Sequence, residues 1–344
     1  MSHPGNSPTV EPRLKKLRLE LTLDCPLLCR HCSVLAAPGH PASLPDRLVR
    51  DLTSDFARLG GEELTLTGGE PLLQAERVMR ALKHARGLGL TTALFTGGIV
   101  DANGGVQPAS REVFGALAGD LNRVVFTLHS AQADQHDAIT RVPGSHGGAI
   151  EAIQRSVDAG IPTEFHFVPM EQPASELRLL FELAANLGVQ TIRVIRFVPH
   201  GRGRRETALR PTATALRELK PALDELRRDG RVTLRVGPAF RFLVDYAPFC
   251  TAGIEELVVS SNGDVYPCSG FLGYDGPEAV GNVSASTLED VWTSAPFVCA
   301  TRNLINDRLA NRAMHRVGCP AQKAFVAGRI TDDIPDPDLL GRVG

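Results

Sequence analysis

Three cysteines near the N-terminus are the first residues whose spacing points to chemistry. Cys25, Cys29 and Cys32 have the spacing C-x3-C-x2-C and follow a run of alternating leucines and polar residues. A structural zinc ion usually takes four protein ligands, whereas an iron-sulfur cluster held by three cysteines leaves one iron free to bind another molecule. The spacing alone leaves three interpretations open: incidental cysteines, part of a zinc site, or a cluster with an open iron.

Length and composition exclude several classes of protein. The chain has 344 residues, of which 43% are hydrophobic, enough for one large domain and a smaller module. A net charge of -2 gives no reason to expect nucleic acid or an anionic membrane as partner. No apolar run approaches the roughly 20 residues that span a bilayer, and the N-terminus lacks the apolar segment of a signal peptide. We therefore expect a cytoplasmic protein in which the seven cysteines bind metal rather than form disulfides.

Strand-like and helix-periodic segments alternate along the first two thirds of the chain. Such alternation predicts a parallel sheet with helices outside it, where functional residues gather at the carboxyl ends of the strands. The cysteine loop follows the first strand. The predicted strands are 17–23, 63–67, 91–95, 123–128, 162–168 and 191–198, and the predicted helices are 44–59, 76–87, 111–118, 146–159, 176–187 and 212–228.

The pattern changes beyond about residue 231. Segments 256–260 and 264–267 read as a hairpin turned through Asn262 and Gly263, which tolerate positive φ. We expect the C-terminal third to be a separate small module, followed by an exposed acidic and proline-rich tail. The predicted division is a flexible N-terminus 1–14, a barrel 15–230, a hairpin-plus-helix module 231–330 and a tail 331–344.

The cysteine loop resembles the C-x3-C-x-φ-C signature of radical S-adenosylmethionine enzymes, in which φ is usually aromatic; His31 is at that position. Gly68, Gly69, Glu70 and Pro71 end the second strand and look like the family's GGE motif, which meets the methionine amino group. The resemblance covers nearly the whole chain. It implies a partial (β/α)6 TIM-like barrel, a [4Fe-4S] cluster held by the three cysteines, and S-adenosylmethionine bound at the open iron.

Further residues follow from the same resemblance. Thr127, at the end of the fourth strand, is implied to lie near the cofactor ribose or carboxylate, and Arg141 is implied as a carboxylate partner. Two positions depart from the family pattern: Pro26 replaces a common Asn, and Thr96-Gly97-Gly98 replaces a frequent TNG. Neither departure touches a cluster ligand, so they bear on the subgroup rather than on the class.

Four cysteines remain in the C-terminal third, which resembles the SPASM and twitch extensions that bind auxiliary iron-sulfur clusters. Four thiolates suit one fully ligated [4Fe-4S] cluster and are too few for two. Three of them match family positions, and Cys299 does not clearly do so. For Cys299 a buried structural cysteine and a hydrogen-donating thiol stay open, as does a structural zinc site for the whole set. The predicted ligands are Cys250, Cys268, Cys299 and Cys319.

His166 and Arg196 are the candidates for catalytic residues in the barrel. Alternation places His166 on one side of its strand with Glu164, while Arg196 ends the sixth strand. Structural roles remain open for His166, and for His129 and His200 near other strand ends. The arginines 193, 196, 202, 204 and 205 form either a solvated basic surface or a site for an anionic substrate.

By the resemblance, the bound cofactor is cleaved reductively to a 5′-deoxyadenosyl radical that abstracts hydrogen from a substrate carbon. The expected reaction is oxidation or epimerisation of an aminoglycoside-like natural product, with an electron donor such as flavodoxin or ferredoxin as partner. Only about a dozen residues precede the first strand, which leaves no room there for a leader-peptide-binding domain. The alternatives are a maturase that epimerises or cross-links a ribosomally made peptide, and a non-catalytic metal-binding scaffold.

Overall fold

The computed structural model describes residues 10–101, 105–170, 173–310 and 318–331, and no helix in these ranges is long and apolar enough to cross a membrane. The strands are β1 (Lys16–Glu20), β2 (Glu63–Thr67), β3 (Thr91–Thr96), β4 (Ile99–Asp101), β5 (Gln107–Pro108), β6 (Arg123–Thr127), β7 (Thr163–Phe167), β8 (Thr191–Val194), β9 (Thr233–Val236), β10 (Glu256–Val259), β11 (Asp264–Tyr266) and β12 (Gly281–Asn282). The helices are α1 (Asp46–Arg58), α2 (Ala75–Gly87), α3 (Arg111–Leu117), α4 (Ala133–Thr140), α5 (Ser145–Asp158), α6 (Pro173–Leu187), α7 (Ala213–Asp229), α8 (Leu288–Ser294), α9 (Pro296–Ala310) and α10 (Pro320–Ala327).

One large sheet organises the described residues, with the strand order β12-β11-β10-β1-β2-β3-β6-β7-β8-β9. Every adjacent pair from β10 through β1 to β9 is parallel, whereas β11 pairs antiparallel with both β10 and β12. The predicted α/β fold is confirmed, and each of the six predicted strands is present. Strand β9 adds a further parallel strand that the sequence analysis missed. Because β9 and β12 lie at opposite edges of the sheet, the partial barrel is open.

Alternation along the strands gives the sheet an apolar outer face and a polar inner face. Leu17, Leu19, Leu64 and Leu66 are fully buried on the outer face, where they join Phe56 of α1 in the main core. Each such side chain stabilises the fold by about 1.5–3 kcal/mol. We call the opposite side the lumen face; it carries Arg18, Phe95, Arg123, Glu164, His166 and Arg193, several of which contact one another across strands.

The C-terminal hairpin is confirmed, but it does not form a sheet of its own. Strand β10 pairs in parallel with β1, from Lys16 with Glu256 to Leu19 with Val259, so the hairpin extends the barrel sheet. A second apolar cluster, which includes Tyr266, Phe271, Tyr274 and Phe297, packs on the module. The parallel order also continues to β9, past the predicted boundary at residue 230. The domain limits stay a prediction, and most of the predicted tail, 332–344, lies outside the described residues.

Candidate active site

The three cysteines lie in a loop at the carboxyl end of β1. Backbone hydrogen bonds tie this loop to two neighbouring segments. The N–H of Cys25 donates to the carbonyl of Ala37 at 3.2 Å, and the N–H of Leu28 donates to the carbonyl of Thr140, at the end of α4, at 3.0 Å. Within the loop, the N–H of Cys32 donates to the carbonyl of Cys29 at 3.1 Å. The loop is therefore fixed at the strand end where parallel α/β barrels place their chemistry.

Arg202 binds the back of the cysteine loop. Its backbone N–H donates to the carbonyl of Cys32 at 2.9 Å, its Nε to the carbonyl of Cys29 at 2.8 Å, and an Nη to the carbonyl of Ala36 at 2.8 Å. The preceding Gly201 has φ +54, and a Cβ there would collide with the carbonyl of Cys32. The sequence analysis placed Arg202 only in a cluster of arginines. Gly201 and Gly203 on either side of it were the available sign that the backbone here approaches another segment closely.

The thiols of the loop fit an iron-sulfur cluster better than a single ion. Burial raises the pKa of Cys25 well above its ordinary value and that of Cys29 to about 12, so binding to iron must supply the charge that keeps them ionised. Among the described residues, no three Cys, His, Asp or Glu side chains are grouped to hold one metal ion. In a cubane cluster each cysteine binds a different iron, so the sulfurs need not converge on one point.

The predicted GGE motif packs directly against the start of the cysteine loop. The N–H of Gly69 donates to the carbonyl of Thr22 at 2.6 Å, and the N–H of Glu70 donates to the carbonyl of Asp24 at 2.8 Å. A Cβ at Gly68, where φ is +147, would collide with the Thr22 carbonyl, and one at Gly69 with the Asp24 carbonyl. The two glycines are therefore required for the close approach of the second strand end to the metal-binding loop.

The carboxylate of Glu70 is buried and accepts three hydrogen bonds from the protein. Its Oε1 accepts from the hydroxyl of Thr96 at 2.6 Å and from the N–H of Leu72 at 3.0 Å. Its Oε2 accepts from the N–H of Gly97 at 2.8 Å. Burial raises the pKa of Glu70 to about 7, and these hydrogen bonds oppose that rise. The carboxylate thus joins the ends of β2 and β3; its predicted role toward the cofactor stays a prediction, as does that of Pro71.

His31 is the first of a row of histidines behind the cysteine loop. The ring centroid of His31 is 4.5 Å from that of His129, which is 5.1 Å from that of His136, and His146 follows at 5.5 Å. Burial lowers the pKa of His31 to about 4, so its imidazole is neutral at pH 7. Its Nδ1 is buried and has no hydrogen-bond partner among the described residues.

The two residues implied near the cofactor have different settings. Thr127 is half-buried at the end of β6, which pairs directly with β3. Across the sheet it pairs with His166 of β7, on the lumen face. Arg141 caps α4 with φ +60, is half exposed, and donates to Glu206 Oε1 at 3.2 Å. Glu206 also accepts from Arg30 in the cysteine loop at 2.6 Å. Arg141 is thus linked to that loop through a shared carboxylate.

His166 and Arg196 are not brought together. His166 is buried on the lumen face, 4.8 Å from the ring of Phe95, and its pKa lies well below the ordinary value, because of burial and then of Arg193. Arg196 is also buried, but its guanidinium lies 4.9 Å from the ring of Phe242 and donates to the carbonyl of Ala239 at 3.3 Å. Arg196 lies beyond the end of β8, so strand alternation does not direct it toward the lumen as it does Arg193.

Three of the four C-terminal cysteines form a second group of thiols. Cys250 precedes β10, Cys268 follows β11, and Cys319 is the N-cap residue of α10. A hydrogen bond from Gly253 N–H to the Pro267 carbonyl, at 3.1 Å, holds the first two segments together. Burial raises the pKa of Cys250 to about 12, and the charge of Cys319 adds to the rise. The pKa of Cys268 is also raised, first by burial and further by the charges of Glu256, Cys250 and Cys319.

Cys299 lies apart from this group, on α9. Its thiol donates to the carbonyl of Thr293 at 3.4 Å, and its electrostatic neighbour is Arg302, on the same helix. The structure therefore does not bring Cys299 to the proposed auxiliary ligands, although sequence spacing grouped all four.

Two family models match the regions that contain these sites. The model described as the Radical SAM superfamily matches residues 19–184, and that described as an iron-sulfur cluster-binding domain, SPASM, matches residues 250–317. By the first match, residues 19–184 belong to the radical SAM superfamily. The matches confirm the resemblance and the cofactors of this radical SAM protein: an iron-sulfur cluster with S-adenosylmethionine in the barrel and an auxiliary iron-sulfur cluster in the C-terminal module.

Curated relatives match this radical SAM protein over most of its length. A protein named AdoMet-dependent heme synthase, from Oleidesulfovibrio alaskensis, is 24% identical over 86% of this chain and 79% of its own. A protein named PqqA peptide cyclase, from Xanthomonas campestris pv. campestris, is 29% identical over 93% of this chain and 85% of its own.

Solved structures support the fold. Streptococcus suis SuiB bound to precursor peptide SuiA superposes with a TM-score of 0.73 and 16% identity, covering 96% of this chain and 76% of that one. A structure of anSMEcpe with bound AdoMet and Kp18Cys peptide gives a TM-score of 0.67 and 14% identity, covering 89% of each chain. At these identities the likeness concerns the fold alone.

Proposed function

We propose that this radical SAM protein modifies a peptide. The observation that carries the proposal is the open barrel, whose polar lumen face meets solvent beside β9 and can admit an extended chain. The resemblance to a PqqA peptide cyclase over 93% of the chain, and the fold shared with SuiB bound to a precursor peptide, support it. Peptide modification was an alternative in the sequence analysis; these comparisons favour it over the aminoglycoside-like substrate that was expected first.

The protein's own residues have four tasks in this proposal. Cys25, Cys29 and Cys32 hold the cluster, and the bound cofactor supplies a radical able to take hydrogen from an unactivated carbon. Arg202 fixes the loop carbonyls between the cysteines. Glu70 holds the ends of β2 and β3 in register beneath the cofactor site.

The lumen face holds the substrate and limits side reactions. The half-buried ring of Phe95 and the buried imidazole of His166 limit the room for water beside the predicted cofactor residue Thr127. The low pKa of His166 keeps its imidazole neutral at pH 7, so it adds no positive charge beside the neighbouring arginines and is a poor proton acceptor. Positioning the target carbon against the cofactor is the main contribution of such a rigid chamber.

The test is an anaerobic incubation of the reconstituted protein with S-adenosylmethionine, a strong reductant and two sets of substrates, peptides and aminoglycoside-like sugars. The reaction is run in D2O, and products are analysed by mass spectrometry. Loss of hydrogen from a peptide indicates cross-linking or dehydrogenation, and gain of deuterium indicates epimerisation. Turnover of a sugar without turnover of any peptide contradicts the proposal. Absence of 5′-deoxyadenosine under all conditions would support the alternative that the protein is a non-catalytic metal-binding scaffold.

A reaction on a carboxylate-bearing small molecule is the second candidate. It is favoured by the relative named AdoMet-dependent heme synthase and by the cationic character of the lumen face. Adding a tetrapyrrole to the substrates of the same incubation tests this candidate. Turnover of the tetrapyrrole without turnover of any peptide would favour it over the peptide proposal.

A further inference from the structure

The lumen face carries more cationic than ionised acidic side chains among the described residues. Its carboxylates are Glu63, Glu164 and Glu256, together with Glu20, whose pKa is raised to about 8 by burial, so that it is mostly neutral at pH 7. The cationic side chains are the four arginines Arg18, Arg123, Arg193 and Arg235, together with the exposed Lys16 at the start of β1.

Two of the four arginines have a carboxylate partner of their own. Arg123 contacts Glu63 at 2.5 and 2.8 Å with two of its nitrogens. Arg18 lies 3.5 Å from Glu256 and donates to the hydroxyl of Ser269 at 2.8 Å. The charges of Arg123 and Arg18 are thus each paired with a carboxylate of the protein.

Glu164 is the remaining lumen carboxylate, and it is shared. Its Oε1 lies 3.7 Å from Arg123 Nε and 3.9 Å from Arg235 Nη1, while its Oε2 is buried without a hydrogen-bond partner. Its charge favours the cationic form of Arg193, but the two do not form an ion pair. One carboxylate therefore offsets parts of three positive charges.

Arg193 is the arginine left without a direct partner. It is half-buried, and its guanidinium forms no hydrogen bond or ion pair with any residue that the structure describes. Burial, followed by the charges of Arg235, Arg123 and Arg18, holds the pKa of Arg193 below its ordinary value. A half-buried guanidinium with no hydrogen bond to the described protein residues has lost part of its hydration, and a bound anion would compensate for that loss.

The position of Arg193 is suited to the substrate. Thr127, His166, Arg193 and Arg235 are paired in one row across β6, β7, β8 and β9. Neighbouring strands are about 4.8 Å apart, so Arg193 is about 10 Å from Thr127 along the row. Arg235, at the end of the row, is exposed, so an anion can reach Arg193 from solvent.

We propose that Arg193 binds a carboxylate of the substrate and thereby sets which atom of the substrate faces Thr127 and the cofactor. The proposal rests on the proposed function in taking that carboxylate to be the side chain of Asp or Glu in a peptide. Guanidinium groups bind carboxylates in bidentate fashion, which fixes orientation as well as position. Lysine at the same position would keep the charge but lose that geometry.

The test measures binding of two fluorescein-labelled pentapeptides to the full cluster-loaded protein by anisotropy. One is acetyl-Ala-Ala-Glu-Ala-Ala-amide and the other has Gln in place of Glu, so only the charge differs. The variants are Arg193→Gln and Arg193→Lys, with Arg217→Gln on the exposed face of α7 as matched control. Unlabelled N-acetylglutamate methylamide and its glutamine counterpart form a second pair, and S-adenosylmethionine affinity is measured alongside by equilibrium dialysis.

The wild-type protein and Arg217→Gln are expected to prefer the Glu peptide about tenfold, which corresponds to one charge-assisted interaction. Arg193→Gln should bind both peptides equally, and Arg193→Lys should keep part of the preference. Equal or undetectable binding of the two peptides by the wild type, or a preference that survives in Arg193→Gln, overturns the proposal. So does a fall in S-adenosylmethionine affinity alone, which would assign Arg193 to the cofactor. If the single-residue pair shows the same preference and the pentapeptide adds no affinity, the carboxylate site stands and the peptide proposal fails.

Discussion

Replacing Glu70 separates its structural role from its predicted cofactor role. Glu70→Ala leaves the hydroxyl of Thr96 and the N–H groups of Leu72 and Gly97 without their acceptor. An unsatisfied buried polar group costs about 1–3 kcal/mol, so the loss of free energy of unfolding should be on the order of 5 kcal/mol. Glu70→Gln keeps the shape and one acceptor oxygen but turns an amide toward one donor, so about 1–3 kcal/mol should be lost.

The assay combines anaerobic denaturant unfolding with equilibrium dialysis of S-adenosylmethionine. Glu76→Gln on α2 is the control, because its side chain is 89% exposed. If Glu70→Gln unfolds at the same denaturant concentration as the control, the three hydrogen bonds contribute nothing and the reasoning fails. If Glu70 also meets the methionine ammonium, affinity in Glu70→Ala falls at least about tenfold with both clusters intact. Unchanged affinity would leave Glu70 a purely structural residue.

Three further predictions follow from the thiols and from a buried carboxyl. Replacing Cys25, Cys29 and Cys32 together with Ala should abolish 5′-deoxyadenosine formation while about four irons per chain remain in the C-terminal module; full iron loss or retained cleavage contradicts it. Cys299→Ala should keep the wild-type iron content, because its thiol contacts Thr293 away from the other cysteines; loss of about four irons would make it a ligand. Glu20 has a folded pKa of about 8 against an ordinary value of 4.5, so its stabilising proton is fully bound below pH 4.5 and lost as pH rises through 8. Relative to Glu20→Gln, the wild type should therefore lose on the order of 4 kcal/mol of unfolding free energy across this window, and a constant difference from pH 4.5 to 8 would refute it.

The elements of the barrel were predictable because their signal is local. Strand β2 (Glu63–Thr67) was placed at its observed limits, and Asn262 with Gly263 marked the hairpin turn. Strand β9 was missed because four residues after a long helix carry little periodicity. The parallel pairing of β10 with β1 was also missed, because the local sequence of a strand does not indicate which distant strand it pairs with.

The candidate site was predictable by residue type and only in part by arrangement. The cysteine spacing located the metal loop, and the strand ends located Glu70. The contacts that fix them, from Arg202 to the loop carbonyls and from Thr96 to the Glu70 carboxylate, join distant segments and leave no periodic trace. For the same reason the sequence analysis grouped Cys299 with thiols that the fold keeps apart, and did not anticipate the contact of Arg196 with Phe242.

The pairing of β1 with β10 constrains how the molecule can be made. The first strand carries the metal loop, yet one of its edges is completed only by a strand about 240 residues later, as the Lys15 to Glu255 contact shows. During synthesis that edge stays bare until the last third of the chain emerges, and such distant pairings form slowly. An unpaired strand edge invites association with other chains. The barrel expressed without its C-terminal third would therefore expose this edge beside the cysteine loop. We expect the first cluster to be incorporated with least aggregation after the C-terminal hairpin has paired with β1.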